Sequence, residues 1–256
     1  MTLTRPRLVL ILVSVVAALA LLLDGASRAS VTSVSPVRVF LSEQHPSELI
    51  TVTNGGAEDV RFEVGVYSWS QSEAGEMQLA PTADIIFFPG YVAIAPGESR
   101  NIRVGTKLAA GTREKTYRLF LDELPSRASV SRPRAQVRIL SKIGVPIFLR
   151  PNSARVSVVV SAITPQMGGF SFFLRNEGNV FAQPRDLTVV AFDEHGAVLL
   201  QQHWEPWYLL SGSRLRYEVA VPHKLCAKVR SLKFSFTLSE PASIEKRTTP
   251  LGVCAR

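Results

Sequence analysis

From about residue 31 onward the chain is written in short runs in which apolar and polar positions alternate. Alternation with a period of two is the mark of a strand that buries one face. Val34–Leu41 and Glu48–Thr53 read as the first strands, closed by the turn Asn54-Gly55-Gly56. Val60–Trp69 sets Phe62, Val64 and Val66 against Glu63, Gly65 and Tyr67, and Ser70–Met77 reads as a polar loop. Ile85–Phe88, Val92–Ile94, Asn101–Val104 and Lys115–Leu124 follow, with Pro89-Gly90 and Pro96-Gly97 as punctuation. Hardly any segment carries the 3.6-residue period of a helix.

The longest stretch of this kind is Arg134–Leu149. Ala135, Val137, Ile139, Ile143, Val145 and Ile147 share one face, interrupted by Ser141, while Gln136, Arg138 and Lys142 share the other. As one strand it would reach roughly 50 Å, more than twice an ordinary strand. Neighbouring strands of ordinary length cannot cover all of it, so part of its apolar face is expected to need another partner.

Arg150-Pro151-Asn152-Ser153 breaks the alternation and reads as a linker. Beyond it the pattern restarts with Arg155–Ile163, Gly169–Arg175, Asp186–Phe192, Ala197–His203, Tyr208–Leu210, Leu215–Val221 and Val229–Leu238. Many short strands separated by turn signals predict an all-β chain of two β-sandwich domains, residues 30–150 and 151–256. No close sequence repeat relates the two halves. Residues 1–29 stand apart: Arg5 and Arg7 precede the apolar run Leu8–Leu23, and Ser27-Arg28-Ala29 offers small residues for cleavage. That is the layout of a secretory signal peptide, so the folded part is expected outside the cytoplasm.

Export changes how the two cysteines read. In an oxidising compartment Cys226 and Cys254 are expected to form a disulfide. The net charge of +8 is compatible with nucleic acid, an acidic membrane surface or an acidic protein. Lys and Arg are scattered singly rather than gathered in a stripe, which argues against nucleic acid. His45, His195, His203 and His223 show no metal-ligand spacing, and no nucleophile elbow, phosphate loop or dinucleotide fingerprint is present. Asp122 and Glu123 are adjacent on a strand and point to opposite faces, so they make no acid–base couple. The chain is expected to be no enzyme and to need no cofactor and no metal.

The segment Tyr117–Pro125 (YRLFLDELP), the long strand ending Phe148-Leu149-Arg150-Pro151, and Pro36-Val37-Arg38-Val39-Phe40 together resemble the periplasmic chaperones of chaperone–usher pilus assembly. Ile86-Phe87-Phe88-Pro89 and Ala95–Arg103 fit the same family, and the apolar-Pro-apolar-Phe ending is similar to its alternative, archaic branch. The resemblance implies two immunoglobulin-like β-sandwich domains in an L-shaped arrangement. It also implies a periplasmic chaperone that stabilises pilin subunits by lending them a strand and hands them to an outer-membrane usher, with no membrane contact beyond the signal segment. Val137, Ile139, Ile143 and Val145 would be the donated side chains. Arg38 would anchor the subunit's C-terminal carboxylate in the cleft between domains. Many members of the family place a lysine on the long strand as a second anchor where this chain has Pro146. Lys142 is one replacement, although it would lie about 13 Å away along the strand. Lys115 and Arg118 are others, unranked. Glu114 and Arg150 match an interdomain ion pair whose third member, an acid in the second domain, does not align; Glu205 is only nearby. The rival reading is an exported two-domain immunoglobulin-like binding or adhesion module that works through its loops.

Overall fold

The computed structural model describes residues 32–125, 139–238, 243–248 and 254–255. The first domain contains β1 (Thr32–Ser35), β2 (Val39–Leu41), β3 (Ser47–Asn54), β4 (Val60–Gln71), β5 (Met77–Pro81), β6 (Ile86–Phe88), β7 (Tyr91–Ile94), β8 (Ser99–Gly105), β9 (Lys115–Glu123) and β10 (Lys142–Leu149). One sheet has the order β1-β3-β8-β6; the other runs β2-β10-β9-β4-β5, with β7 also on β4. Val39, Ile50, Phe62, Ile102, Leu119, Val145 and Ile147 meet between them as a buried core.

Two expectations for this domain need correction. Val34–Leu41 is not one strand. Pro36 has no N–H to give a ladder, and the chain leaves one sheet at Ser35 and joins the other at Val39. Ser70–Met77 is not a plain loop either. β4 runs on to Gln71 and turns through Gly75, whose φ is +83°, into β5. Every residue of β5 is exposed, so no burial pattern announced it.

The second domain contains β11 (Val158–Met167), β12 (Gly169–Asn176), β13 (Arg185–Phe192), β14 (Val198–Trp204), β15 (Arg214–Ala220), the short helix α1 (His223–Cys226), β16 (Ser231–Thr237), β17 (Ser243–Thr248) and β18 (Cys254–Ala255). Its sheets are β15-β12-β11-β18 and β14-β13-β16-β17. Tyr208–Leu210 is not a strand; only Leu209 bridges, to Ala182. Cys226 and Cys254 form a disulfide, as their pairing in an exported chain led one to expect, and it ties β18 to α1.

The domains share a corner that no sequence repeat reveals. Asn54 is fully buried; its amide donates to Glu58 O and Ile94 O and its carbonyl accepts from Gly56 N. Asn176, also fully buried, donates to Val180 O and Leu209 O and accepts from Gly178 N. Each asparagine ties a turn to neighbouring backbone through three hydrogen bonds.

Between the sandwiches lies a third apolar cluster, made by Trp69 and Phe148 from the first domain and Phe181, Tyr208 and Leu210 from the second. The β4–β5 hairpin reaches across it. Gln71 donates to Tyr208 O and accepts from Leu210 N, Glu73 pairs with Arg214, and Glu73 O accepts from Arg216 N. Among the described residues, no helix is long and apolar enough to cross a membrane.

Candidate functional site

The site is built around β10, and its register decides which side chains face where. β10 pairs antiparallel with β9 from Lys142↔Asp122 to Leu149↔Lys115. On its other side it pairs with β2 only from Ile147↔Val39 to Leu149↔Leu41. Among the described residues, the β2-side edge of Lys142–Pro146 therefore has no strand partner. Arg150 N donates to Leu41 O, and Ser141 O accepts from Glu123 N. Backbone groups of even-numbered residues thus point to the β2 side, and those of odd-numbered residues to β9. The N–H that Pro146 lacks belongs to the open edge, where a strand tolerates proline.

The long strand predicted for Arg134–Leu149 is shorter in the structure. Residues 134–138, Val137 with them, lie outside the described residues; Ile139, Leu140 and Ser141 are not in a strand, and β10 begins at Lys142. Donation of Val145 is also corrected. Val145 is 2% exposed in the core of its own sandwich, and Ile143 packs against the same core. Odd-numbered residues of β10 face inward, so the alternation over Ile143–Leu149 records self-burial. Ile139, ahead of the strand, is 87% exposed, with Leu140 beside it at 42%. Ser141 is no gap in a donated face. Its hydroxyl and N–H both donate to the buried Glu123 carboxylate, at 2.6 and 3.1 Å.

Even-numbered residues face the cleft between domains. Phe148 stacks on Phe40 and Phe181. Pro146 stands opposite Arg118 on β9. The Arg118 guanidinium lies 4.4 Å from the Trp69 ring centre and 4.7 Å from that of Trp207. It donates to Gly144 O at 3.2 Å, a carbonyl of the open edge. Gly144 makes this possible: a Cβ there would stand 3.0 Å from the Phe120 ring and 3.5 Å from Arg118 Nη1. Arg118 is only 5% exposed, and its Nε and Nη2, together with Trp69 Nε1, are buried without a hydrogen-bond partner. Burial holds the Arg118 pKa below its usual range, against an opposing effect of Tyr208. Unsatisfied buried donors cost roughly 1–3 kcal/mol each, more when charged, and desolvated cation–π contacts return about 2 kcal/mol. The site is rich in donors and poor in acceptors, which suits an anion.

Arg38 reaches the same aromatic cluster from β2's side, 5.9 Å from the Tyr208 ring centre and 3.5 Å from Gln183 Oε1. Lys142 does not join the arginines. It pairs with Asp122 at 2.8 Å and lies over Phe120 at 4.6 Å, on the exposed stretch of the edge. Glu114 and Arg150 approach to 3.7 Å. Across the domains, Glu114 Oε1 also accepts from Phe181 N of the second domain at 2.8 Å. Burial pushes the Glu114 pKa up from 4.5 to about 7, outweighing Phe181 N–H and Arg150. Glu205 bonds His203 at 2.8 Å instead. Asp186, His203 and Glu205 have ligand atoms within 4.8 Å of one another, a grouping that sequence spacing did not reveal; all three are exposed.

The family model of the pili and flagellar-assembly chaperones, PapD N-terminal domain, matches residues 31–155. The first domain belongs to the pilus-assembly chaperone family. The whole chain has the fold of solved structures at low identity. It aligns with a chaperone–tip adhesion subunit pre-assembly complex, CsuC–CsuE, from the archaic chaperone-usher Csu pili of Acinetobacter baumannii at 17% identity and a TM-score of 0.59, covering 85% of this chain and 98% of that one. With the class 5 fimbriae chaperone CfaA the values are 13%, 0.57, 86% and 100%, and with the E. coli chaperone DraB 14%, 0.51, 87% and 97%. No curated protein sequence matches the chain.

Sequence reasoning named Arg118 without ranking it and missed Trp69 and Trp207. A signal was present: Gly144 inside an otherwise bulky strand marks a place where another group comes close.

Proposed function

We propose that this chaperone captures incomplete pilin subunits in the periplasm by offering the open edge of β10 as their missing strand, and then passes them to an outer-membrane usher. The observation that carries this reading is the unpaired edge Lys142–Pro146, continued by exposed Ile139 and Leu140 and ending at two arginines. A subunit strand laid on the edge gains main-chain hydrogen bonds, and its pockets take the apolar side chains. Arg38 and Arg118 then hold the subunit's terminal carboxylate, for which a guanidinium offers bidentate, charge-assisted bonds. An end fixed in this way sets register, and a one-residue slip would turn every side chain to the wrong face. The reading places Ile139, and Val137 two residues before it in sequence, as donated residues, with Ile143 and Val145 holding the root of the strand. Lys142 tunes the exposed edge rather than anchoring.

Handover needs a second surface that stays free while the edge is occupied. Ile86 and Phe88 of β6 are exposed, and β6 lies in the other sheet from β10. The test is co-expression with a candidate pilin in the periplasm. Wild-type protein is expected to co-purify a β-rich subunit one to one, and Ile139→Asp and Arg38→Ala to lose it while remaining folded. Undiminished capture by both variants would favour a module that binds through its loops.

A further inference from the structure

The geometry points to Trp207 as a lid over the Arg118 anchor: the carboxylate subsite is closed in the free protein and opens when this second-domain indole swings away. The inference deepens the carboxylate-anchor reading above and rests on it. Arg118 has three unused N–H bonds, one on Nε and two on Nη2, yet both nitrogens are sealed from solvent. A carboxylate cannot reach them with both indoles in place. Trp69 is 3% exposed, within the interdomain cluster, and cannot leave without breaking it. Trp207 is 46% exposed, lies between β14 and β15, and comes from the other domain. It touches Trp69 at 5.7 Å and Tyr208 at 5.0 Å between ring centres. Trp207 is the wall able to move.

The exchange is chemically balanced. Closed, the cation is held by two indole faces and the Gly144 carbonyl. Open, it gives up one indole face and gains two charge-assisted hydrogen bonds to a carboxylate, a stronger kind of contact. Groups lacking a negative charge offer no such return, so the lid raises selectivity for a free chain end over an internal carbonyl. A lid closed most of the time lowers apparent affinity by the fraction of time the site is open. Its removal raises affinity by the inverse.

The test uses N-acetylglycine, the smallest mimic of a chain end, and N-acetylglycinamide as its uncharged twin. Both are titrated into isotope-labelled full-chain protein while the Arg118 Nε–H and Trp69 Nε1–H resonances are followed. The acid is expected to bind Trp207→Ala on the order of tenfold more tightly than wild type, shifting both resonances, while the amide shifts neither. Trp207→Phe, which keeps a ring over the cation, is expected to stay near wild type; it also serves as the comparison should Trp207→Ala fail to fold, with Trp207→Leu as the open form. Equal affinity in lidded and lidless proteins overturns the lid and leaves the anchor standing. No response to the acid in a folded lidless variant overturns both.

Discussion

The two sandwiches end their sheets in opposite ways. In the second domain β18 pairs with β11 and is fastened by a disulfide to α1, 28 residues away in sequence. In the first, β10 begins at Lys142, and among the described residues the outer edge of Lys142–Pro146 faces no strand. Both domains hold a similar corner with a buried asparagine, while their edges differ. One domain fastens a short edge strand by a disulfide; the other leaves Lys142–Pro146 of an edge without a strand partner among the described residues.

The sharpest way to break this contrast is to put the same charge on both ends of one face. Ile147→Asp buries a carboxylate in the core and is expected to cost on the order of 4 kcal/mol or more, enough to unfold the first domain. Ile139→Asp is expected to stay within about 0.5 kcal/mol of wild type in urea denaturation and to lose subunit capture. Comparable destabilisation by the two would mean that the face beyond β10 belongs to the core after all. Next in size is the closed edge. Replacing Cys226 and Cys254 together by Ser is expected to lower stability by roughly 2–4 kcal/mol, with faster hydrogen exchange in β11, and to leave subunit capture by the first domain intact.

Glu114 tests the joint between the domains. With its folded pKa raised to about 7, it stays protonated where the unfolded chain is already ionised. The folded state then binds the extra proton, so this contribution is complete below about pH 4.5 and is lost as pH rises to about 7. The stability difference between wild type and Glu114→Gln is expected to fall by roughly 2–3 kcal/mol across that window. A difference independent of pH would show that the carboxyl is ionised in the fold. The smallest effect belongs to Lys142→Ala, which removes an exposed ion pair with Asp122 and is expected to change the melting midpoint by less than 1 kcal/mol equivalent.

The architecture was legible because alternation reports burial directly: Val60–Trp69, Lys115–Leu124 and Gly169–Arg175 all became strands. The same property misled at Val145. Alternation says that one face is covered, never by what, and here the protein's own second sheet covers it. β5 was illegible for the converse reason, being exposed throughout. The arginine pair of the cleft was half legible. Arg38 stood out by its motif, but Arg118 meets two tryptophans that are distant in sequence and belong to different domains.

An uncovered edge also invites a second copy of the same chain, and indefinite sheet growth is the hazard of any such surface. The edge of β10 carries its own deterrents. Pro146 removes one donor, Arg118 already occupies the Gly144 carbonyl, and Lys142 sets a charge at the outer end. Two identical edges brought together would oppose like charges and leave ladder positions unfilled. These features make the edge poorly receptive to a second copy of itself.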